Sequence, residues 1–150
     1  LFDHYCPFVD NTVGLYNYKY FYIFLVFMTS ALSSFAITLY IYLHRYTKTE
    51  PMPLGFFFAG LEVCLTLLPV GGMCFYHTQL AMVNLSTNEH MNLRRYKYFF
   101  PSIDGHRQYK NPWFKGWMGN LGDRMNPSER CYVIPEDLES LMQNGGDNIV

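Results

Sequence analysis

Three side chains near the start of the chain have the types and the spacing that thiol chemistry requires. Asp3, His4 and Cys6 stand almost side by side, just before a long uncharged segment. A thiol becomes a good nucleophile when an imidazole removes its proton, and a carboxylate beside the imidazole supports this step. The pattern predicts Cys6 as nucleophile, His4 as its base and Asp3 as the group that fixes the tautomer of His4. Taken alone, the same residues also fit a metal-binding His-x-Cys pair or a surface loop without chemistry.

The residues after Cys6 extend this motif at fixed offsets. The stretch resembles the DHHC family of protein S-acyltransferases, whose core reads Asp-His-His-Cys-Pro, an Asn pair, Cys-Val-Gly, and then Asn and Phe before a membrane helix. Tyr5 stands where most members have the second His, and Thr12 stands where most have the Cys. The residues that match in register are Asp3, His4, Cys6, Pro7, Asn11, Val13, Gly14, Asn17 and Phe21.

The resemblance implies a two-step acyl transfer. Cys6 would take a fatty acyl group from an acyl-CoA as a thioester and pass it to a cysteine of a substrate protein. The implied partners are palmitoyl-CoA or another long-chain acyl-CoA, cytoplasmic or membrane-associated proteins with accessible cysteines, and the lipid bilayer; nucleic acid is not among them. A catalytically inactive membrane scaffold, or pseudoenzyme, that keeps the fold is the alternative, and the changes at Tyr5 and Thr12 favour it.

The resemblance also bears on metal binding. Family members carry two zinc sites, and the second His and the Cys after the Asn pair are ligands. Tyr5 and Thr12 occupy those positions, and neither is a usual ligand of structural zinc. We therefore expect neither a cofactor nor a metal ion within this chain, and we assign any zinc to a cysteine-rich region upstream. Because the chain opens inside its motif, we interpret residues 1–122 as the C-terminal part of a palmitoyltransferase domain.

Two long apolar segments predict the elements that position this motif. Residues 20–43 contain no formal charge, and residues 54–85 contain only Glu62. A helix needs about 20 apolar residues to cross the hydrocarbon core of a bilayer. The sequence therefore predicts an all-α membrane protein with transmembrane helices at about 20–43 and 55–83, and with the catalytic residues in a loop before the first helix.

The distribution of charge predicts the orientation of these helices. Residues 86–120 hold six basic side chains, whereas the loop 44–53 holds Arg45 and Lys48 against Glu50. By the positive-inside rule the second flank is cytoplasmic, and two crossings return Cys6 to the same side. That compartment is reducing, which suits a free thiol. We expect an integral protein of an endomembrane (Golgi or endoplasmic reticulum) or of the plasma membrane.

Two polar motifs after the second helix are candidates for supporting the active site. The stretch from Ser86 to Glu89 resembles the family's Thr-Thr-x-Glu motif, and the resemblance implies supporting roles for Thr87 and Glu89. Ser, Thr and Asn also satisfy backbone groups at helix ends, so a plain helix terminus is the alternative. Asn11, within the stretch that matches the family, is a further residue predicted to support the active site.

The second motif, Asn111-Pro112-Trp113-Phe114 with Gly116 and Asn120, resembles the family's C-terminal aromatic and asparagine element. The helical spacing of Trp113 and Trp117 predicts a short amphipathic helix on the cytoplasmic face of the membrane, from which Asn120 would bond buried backbone. A Pro-initiated surface helix is the alternative. Residues 123–150 lack long apolar runs, and we expect them to form an acidic, poorly ordered tail.

A cluster of small side chains marks the predicted end of the acyl chain. A chain that spans one leaflet reaches about 15 Å, or roughly ten residues along a helix. Counted from Tyr20, this depth falls in a group of small residues within a bulky segment. They form the predicted acyl-chain cavity, with close helix packing as the alternative: Ser30, Ala31, Ser33 and Ser34.

Overall fold

The computed structural model describes residues 1–46, 53–103 and 105–126, which are mostly helical. Strands β1 (Phe2–Cys6) and β2 (Asn11–Gly14) precede helices α1 (Tyr18–Tyr46), α2 (Leu54–Val83) and α3 (Thr87–Met91). Two 3-10 turns, two-residue strands β3 and β4, and helix α4 follow, at Leu93–Arg95, Lys97–Phe99, Ser102–Ile103, His106–Arg107 and Trp117–Met125. The chain divides into two compact units: Leu1–Lys19 with Gln79–Val150, and Tyr20–Thr78.

Helices α1 and α2 confirm the predicted pair of long apolar helices. Tyr18–Arg45 and Leu54–Val83, of 28 and 30 residues, are both long and apolar enough to cross a membrane. Helix α1 is longer at both ends than the predicted 20–43. Apolar composition defines the part of a helix that suits lipid, but hydrogen bonding continues until the backbone turns away, so the polar flanks remain helical.

Within the unit Tyr20–Thr78, the two helices pack as an antiparallel pair. The rings of Tyr42 and Phe56 stack with centroids 4.6 Å apart, and the hydroxyls of Tyr22 and Thr78 share a hydrogen bond of 2.9 Å. Small residues permit close approach between these points. A Cβ added at Gly60 would lie 3.6 Å from a methyl of Leu39.

The catalytic segment is a β-hairpin rather than the predicted loop. Strands β1 and β2 pair antiparallel, with His4 opposite Val13, Tyr5 opposite Thr12 and Cys6 opposite Asn11. Pro7, which lacks a backbone N–H, ends β1. Asp10 takes a left-handed backbone conformation with φ of 46°, which Asp tolerates better than most residues. The tight turn between the strands thus closes without glycine.

The C-terminal end of α2 binds the distal part of the chain. Asn84 has φ of 55°, and the N–H of Leu85 donates to the carbonyl of Leu80 at 3.0 Å, as in the left-handed caps that end many helices. Side chains of the distal segment then bond two of the last helix carbonyls, in the pairs Asn120–Met82 and Asn111–Val83. The carbonyl of Leu85, just past the helix, accepts from Arg124. These bonds hold the distal segment, including α4, against the end of α2 and the residues that follow it.

Helix α4 corresponds to the predicted short amphipathic helix, with two differences. Trp113 lies in a turn before the helix, because the helix begins only at Trp117. The helix ends at Met125, so the predicted boundary at residue 122 falls inside it. The greater part of the predicted acidic tail, residues 127–150, lies outside the described residues.

Gly14 permits a close approach that a larger residue would oppose. An added Cβ would lie 2.9 Å from the carbonyl oxygen of Leu1, which also accepts a hydrogen bond from the N–H of Leu15 at 3.0 Å. We expect Gly14→Ala to lower the free energy of unfolding by about 1–3 kcal/mol, the usual cost of overpacking. Thermal unfolding in detergent measures this loss.

The matched control is Gly55→Ala, because an added Cβ at Gly55 meets nothing within 4 Å. Its unfolding midpoint should equal that of the wild type or exceed it, since Ala favours helix over Gly. Equal midpoints for the two variants would show that the contact with Leu1 does not constrain the hairpin.

Candidate active site

Strand β1 brings together the three residues of the predicted catalytic set. The strand register shifts between Phe2 and His4, and such bulges re-aim side chains. The shift allows the Asp3 carboxylate to reach its neighbour, and His4 Nδ1 donates to Asp3 Oδ1 at 2.8 Å. With the proton on Nδ1, the basic lone pair of the imidazole is on Nε2.

Cys6 ends the same strand with its side chain 2% exposed. The pairing from His4 to Cys6 is regular, and residues two apart in a strand project to the same face. His4 and Cys6 therefore share one face of the hairpin. Asn11 lies opposite Cys6 with an exposed side chain, so its predicted supporting role stays a prediction.

The second oxygen of Asp3 faces two distant parts of the chain. Asp3 is 1% exposed, and its Oδ2 accepts a hydrogen bond from the backbone N–H of Thr87 at 3.2 Å. The same oxygen lies 3.8 Å from a terminal nitrogen of Arg124. Such partners offset part of the cost of removing a carboxylate from water.

The Ser86 to Glu89 motif is a helix terminus, at the start of α3, and it also contacts the predicted catalytic set. Ser86 caps the helix and accepts from the N–H of Glu89, while the Glu89 carboxylate accepts from the N–H of Ser86 at 2.8 Å. This capping box fixes the first turn, and that turn offers the N–H of Thr87 to Asp3. The backbone N–H of Thr87 therefore makes the contact with Asp3, and the predicted supporting role of Thr87 stays a prediction. Its hydroxyl is buried and has no hydrogen-bond partner within the described segments.

Glu89 is buried and does not contact the catalytic residues in the described structure. Its Oε1 accepts from the hydroxyl of Tyr98 at 3.0 Å. Burial raises the pKa of Tyr98 well above its ordinary value, and the negative charge of Glu89 raises it further. Tyr98 therefore stays a hydrogen-bond donor at neutral pH. Through the capping box Glu89 fixes the turn that contains Thr87, and its predicted supporting role at the site stays a prediction.

Asn120 bonds to the end of α2 and to the residue before Gly116, and it has no hydrogen bond with Asp3, His4 or Cys6 in the described structure. It is fully buried; its amide nitrogen donates to the carbonyl of Met82 at 2.6 Å, and its amide oxygen accepts from the N–H of Lys115 at 2.7 Å. The bond to Met82 attaches the first half of α4 to the end of α2, and the bond to Lys115 fixes the residues just before α4. Met82 and Lys115 are exposed residues, so the predicted role of Asn120 in supporting the active site stays a prediction.

Arg124 is a neighbour of Asp3 that the sequence pattern does not reveal. The pattern puts it in the acidic tail, yet it is 3% exposed and its guanidinium donates to the carbonyl of Leu85. The guanidinium carbon also lies 4.6 Å from the ring centroid of Tyr18. Its spacing of four from Asn120, on one face of a helix, was the available signal.

The residues at the two substituted positions do not fit a zinc ion. Tyr5 and Thr12 are directly opposite one another in the hairpin, but hydroxyls are poor partners for structural zinc. The Tyr5 hydroxyl instead donates to the carboxylate of Asp10, and this bond raises the pKa of Tyr5. A hydrogen bond between side chains thus links the hairpin at this point.

The small residues predicted to end an acyl cavity lie along α1, in the second unit. The hydroxyl of Ser30 donates to the carbonyl of Val26 at 2.7 Å, and that of Ser34 donates to the carbonyl of Ser30 at 2.9 Å. Ala31 is exposed and Ser33 is partly buried. Because the serine hydroxyls bond to their own helix, they add little polarity to its surface, and the cavity stays a prediction.

The fold and the site together define a membrane protein with a cysteine, histidine and aspartate set ahead of two apolar helices. A family model described as DHHC palmitoyltransferase matches residues 1–94. The chain therefore belongs to the DHHC palmitoyltransferase family.

Individual relatives agree with this family. The chain is 32% identical to Palmitoyltransferase ZDHHC9 of Homo sapiens over 127 residues, which cover 77% of this chain and 31% of that protein. It is 29% identical to Probable protein S-acyltransferase 5 of Arabidopsis thaliana over 80% of this chain and 25% of that protein. Palmitoyltransferase ZDHHC5-B of Danio rerio is 34% identical over 59% of this chain and 14% of that protein. The chain thus spans less than a third of the length of these relatives.

The hydrogen bonds of Asn120 predict that replacing its side chain with that of alanine lowers the stability of the protein. Asn120→Ala removes the partners of the Met82 carbonyl and the Lys115 N–H, and each such hydrogen bond contributes about 0.5–1.5 kcal/mol to stability. We expect the thermal midpoint of the full-length protein to fall accordingly. The control is Asn126→Ala, at an exposed position just past the same helix, which should leave the midpoint unchanged. A similar midpoint for both variants would contradict the role given to Asn120.

Proposed function

We propose that the protein containing this chain is a protein-cysteine S-acyltransferase that uses a long-chain acyl-CoA such as palmitoyl-CoA. The observation that carries the proposal is the hydrogen bond of His4 Nδ1 to buried Asp3, on the strand that ends at buried Cys6. Membership of the DHHC palmitoyltransferase family supports it. The names of the relatives, palmitoyltransferase and protein S-acyltransferase, support the same activity.

In the first step, His4 Nε2 takes the proton of the Cys6 thiol. The thiolate sulfur forms a bond to the carbonyl carbon of the acyl-CoA thioester, and the bond from that carbon to the sulfur of coenzyme A breaks. Coenzyme A leaves as a thiolate and takes up the proton. Asp3 stabilises the imidazolium that forms between these events.

In the second step, the thiol of a substrate cysteine gives its proton to His4. Its sulfur attacks the carbonyl carbon of the Cys6 thioester, and the bond from Cys6 to that carbon breaks. The Cys6 thiolate leaves and recovers a proton from His4, which returns the site to its starting state. The fatty acyl group is then bound as a thioester to the cysteine of the substrate protein.

The proposed setting is the cytoplasmic side of an endomembrane (Golgi or endoplasmic reticulum) or of the plasma membrane. The excess of basic residues at 86–120 supports a cytoplasmic flank, and two crossings place Cys6 on that side. Substrates are then cytoplasmic or membrane-associated proteins with accessible cysteines. Acyl-CoA reaches the same face, where its fatty chain enters the bilayer.

Cys6→Ser tests the nucleophile. When the purified full-length protein is incubated with labelled palmitoyl-CoA, the wild type should gain label that hydroxylamine removes, because hydroxylamine cleaves thioesters. The variant should lose this label, since an alcohol is much harder to deprotonate than a thiol. The control is Cys64→Ser, an exposed thiol on α2, which should label as the wild type does.

Undiminished label in Cys6→Ser would reject the assignment of the nucleophile. An unlabelled but folded wild type would instead favour the catalytically inactive scaffold. Mass spectrometry of the wild type should locate the thioester on the peptide that contains Cys6.

The length of the bound acyl chain tests the proposed cavity on α1. If Ser30, Ala31, Ser33 and Ser34 form its end, Ala31→Phe should shift the preference towards shorter acyl-CoAs and leave activity with those donors. Competition between acyl-CoAs of different length measures the preference. Ile37→Phe, at an exposed position further along α1, is the control and should keep the wild-type profile. A uniform loss at all lengths would indicate helix packing.

A further inference from the structure

Helix α4 delivers a positive charge to the interior of the first unit. Arg124 is 3% exposed, whereas arginine is almost never fully buried unless its charge is paired. Removing a guanidinium from water costs several kcal/mol unless an opposite charge and hydrogen bonds compensate. The position of Arg124 therefore requires a partner.

Asp3 is the charged partner of Arg124 among the described residues. The terminal nitrogen NH1 lies 3.8 Å from Asp3 Oδ2, and both side chains are almost fully buried. The second terminal nitrogen donates to the carbonyl of Leu85, and the guanidinium lies over the ring of Tyr18. Three contacts on different elements thus fix the guanidinium plane, which a flexible surface side chain would not achieve.

The same carboxylate orients the imidazole of the proposed catalytic base. One oxygen of Asp3 accepts from His4 Nδ1, and the other faces Arg124 and the N–H of Thr87. Rotation of the carboxylate towards Arg124 alone is opposed by the bond to His4, and rotation towards His4 alone is opposed by Arg124. The cation and the imidazole therefore hold the carboxylate between them.

We propose that Arg124 is a positioning residue of the active site, which holds the Asp3 carboxylate aimed at His4 and so acts on Cys6 through that carboxylate. This inference rests on the proposed acyl transfer for its effect on rate, but the pairing with Asp3 is a property of the folded chain. It assigns to α4 a role beyond the attachment that Asn120 provides. The helix supplies the counter-charge of the catalytic motif.

A double-mutant cycle tests the proposal in the purified full-length protein. The variants are Arg124→Met, which keeps most of the side-chain volume, Arg124→Lys, which keeps the charge, Asp3→Asn, and Asp3→Asn combined with Arg124→Met. Arg107→Met, which removes an exposed arginine, is the matched control. Two quantities are measured for each: the initial rate of hydroxylamine-sensitive labelling at Cys6 with palmitoyl-CoA, and the midpoint of thermal unfolding.

We expect Arg124→Met to slow labelling about tenfold, within the range of coupling between residues of one ion-pair network. Arg124→Lys should recover part of the rate, because the charge returns without the paired donors of the guanidinium. In the Asp3→Asn background, Arg124→Met should cause no further loss of rate. It should also raise the midpoint there, since it removes a buried charge that has lost its partner.

Three outcomes would overturn the inference. Labelling by Arg124→Met at the rate of Arg107→Met would show that Arg124 does not act on the site. An equal loss in the wild-type and Asp3→Asn backgrounds would show that it acts without Asp3. Folded Arg124→Lys that labels no faster than Arg124→Met would show that the charge is irrelevant.

Failure of the proposed acyl transfer gives a different result. In that case the wild type itself would remain unlabelled while it unfolds cooperatively. The midpoints of the cycle would still decide the pairing: a coupled change supports Arg124 as the group that fixes Asp3, and additive changes reject it. Should Arg124→Met not fold, the comparison of Arg124→Lys with the wild type in both Asp3 backgrounds decides the same question.

Discussion

The buried negative charge of Asp3 is the constraint on which the arrangement of the first unit depends. A carboxylate at 1% exposure is tolerated only if several donors replace the water that it has lost. Two donors and one cation take this place: the imidazole next to it and the first turn of α3 donate hydrogen bonds, and Arg124 in the last turn of α4 forms an ion pair. Meeting this requirement brings the hairpin, α3 and α4 to one point, and the thiol of Cys6 lies on the strand that carries the carboxylate.

The end of α2 makes this convergence possible. The last carbonyls of any helix lack partners within the helix, and here the side chains of Asn111 and Asn120 bond to two of them. The segment that contains Arg124 is thus attached by the backbone groups that a helix end leaves unsatisfied. Arg124 adds a bond to the carbonyl of Leu85, just past the helix, and its other terminal nitrogen faces Asp3.

The sequence predicts the features that depend on local pattern, and it misses those that depend on distant partners. The long apolar segments predicted α1 and α2, since length and hydropathy alone define such helices. Asp3, His4 and Cys6 are close in the sequence, so their spacing alone indicates the chemistry that they could perform. The pattern predicts a loop where the structure has a hairpin, because a short strand is stabilised by its pairing rather than by its own residues. The pattern also puts Arg124 in a tail, because its partner Asp3 lies at the other end of the described chain and the neighbouring acidic residues suggest a solvated segment.

The match to the family model ends at residue 94, yet the groups that neutralise Asp3 and complete the end of α2 continue to residue 124. The unit that folds is therefore longer than the stretch by which the family is recognised. If two relatives exchanged the segment beyond residue 94, they would also exchange the cation that pairs with the aspartate of the predicted catalytic set. A chimaera joined at that boundary would inherit Cys6, the proposed nucleophile, from one parent and the cation that pairs with Asp3 from the other.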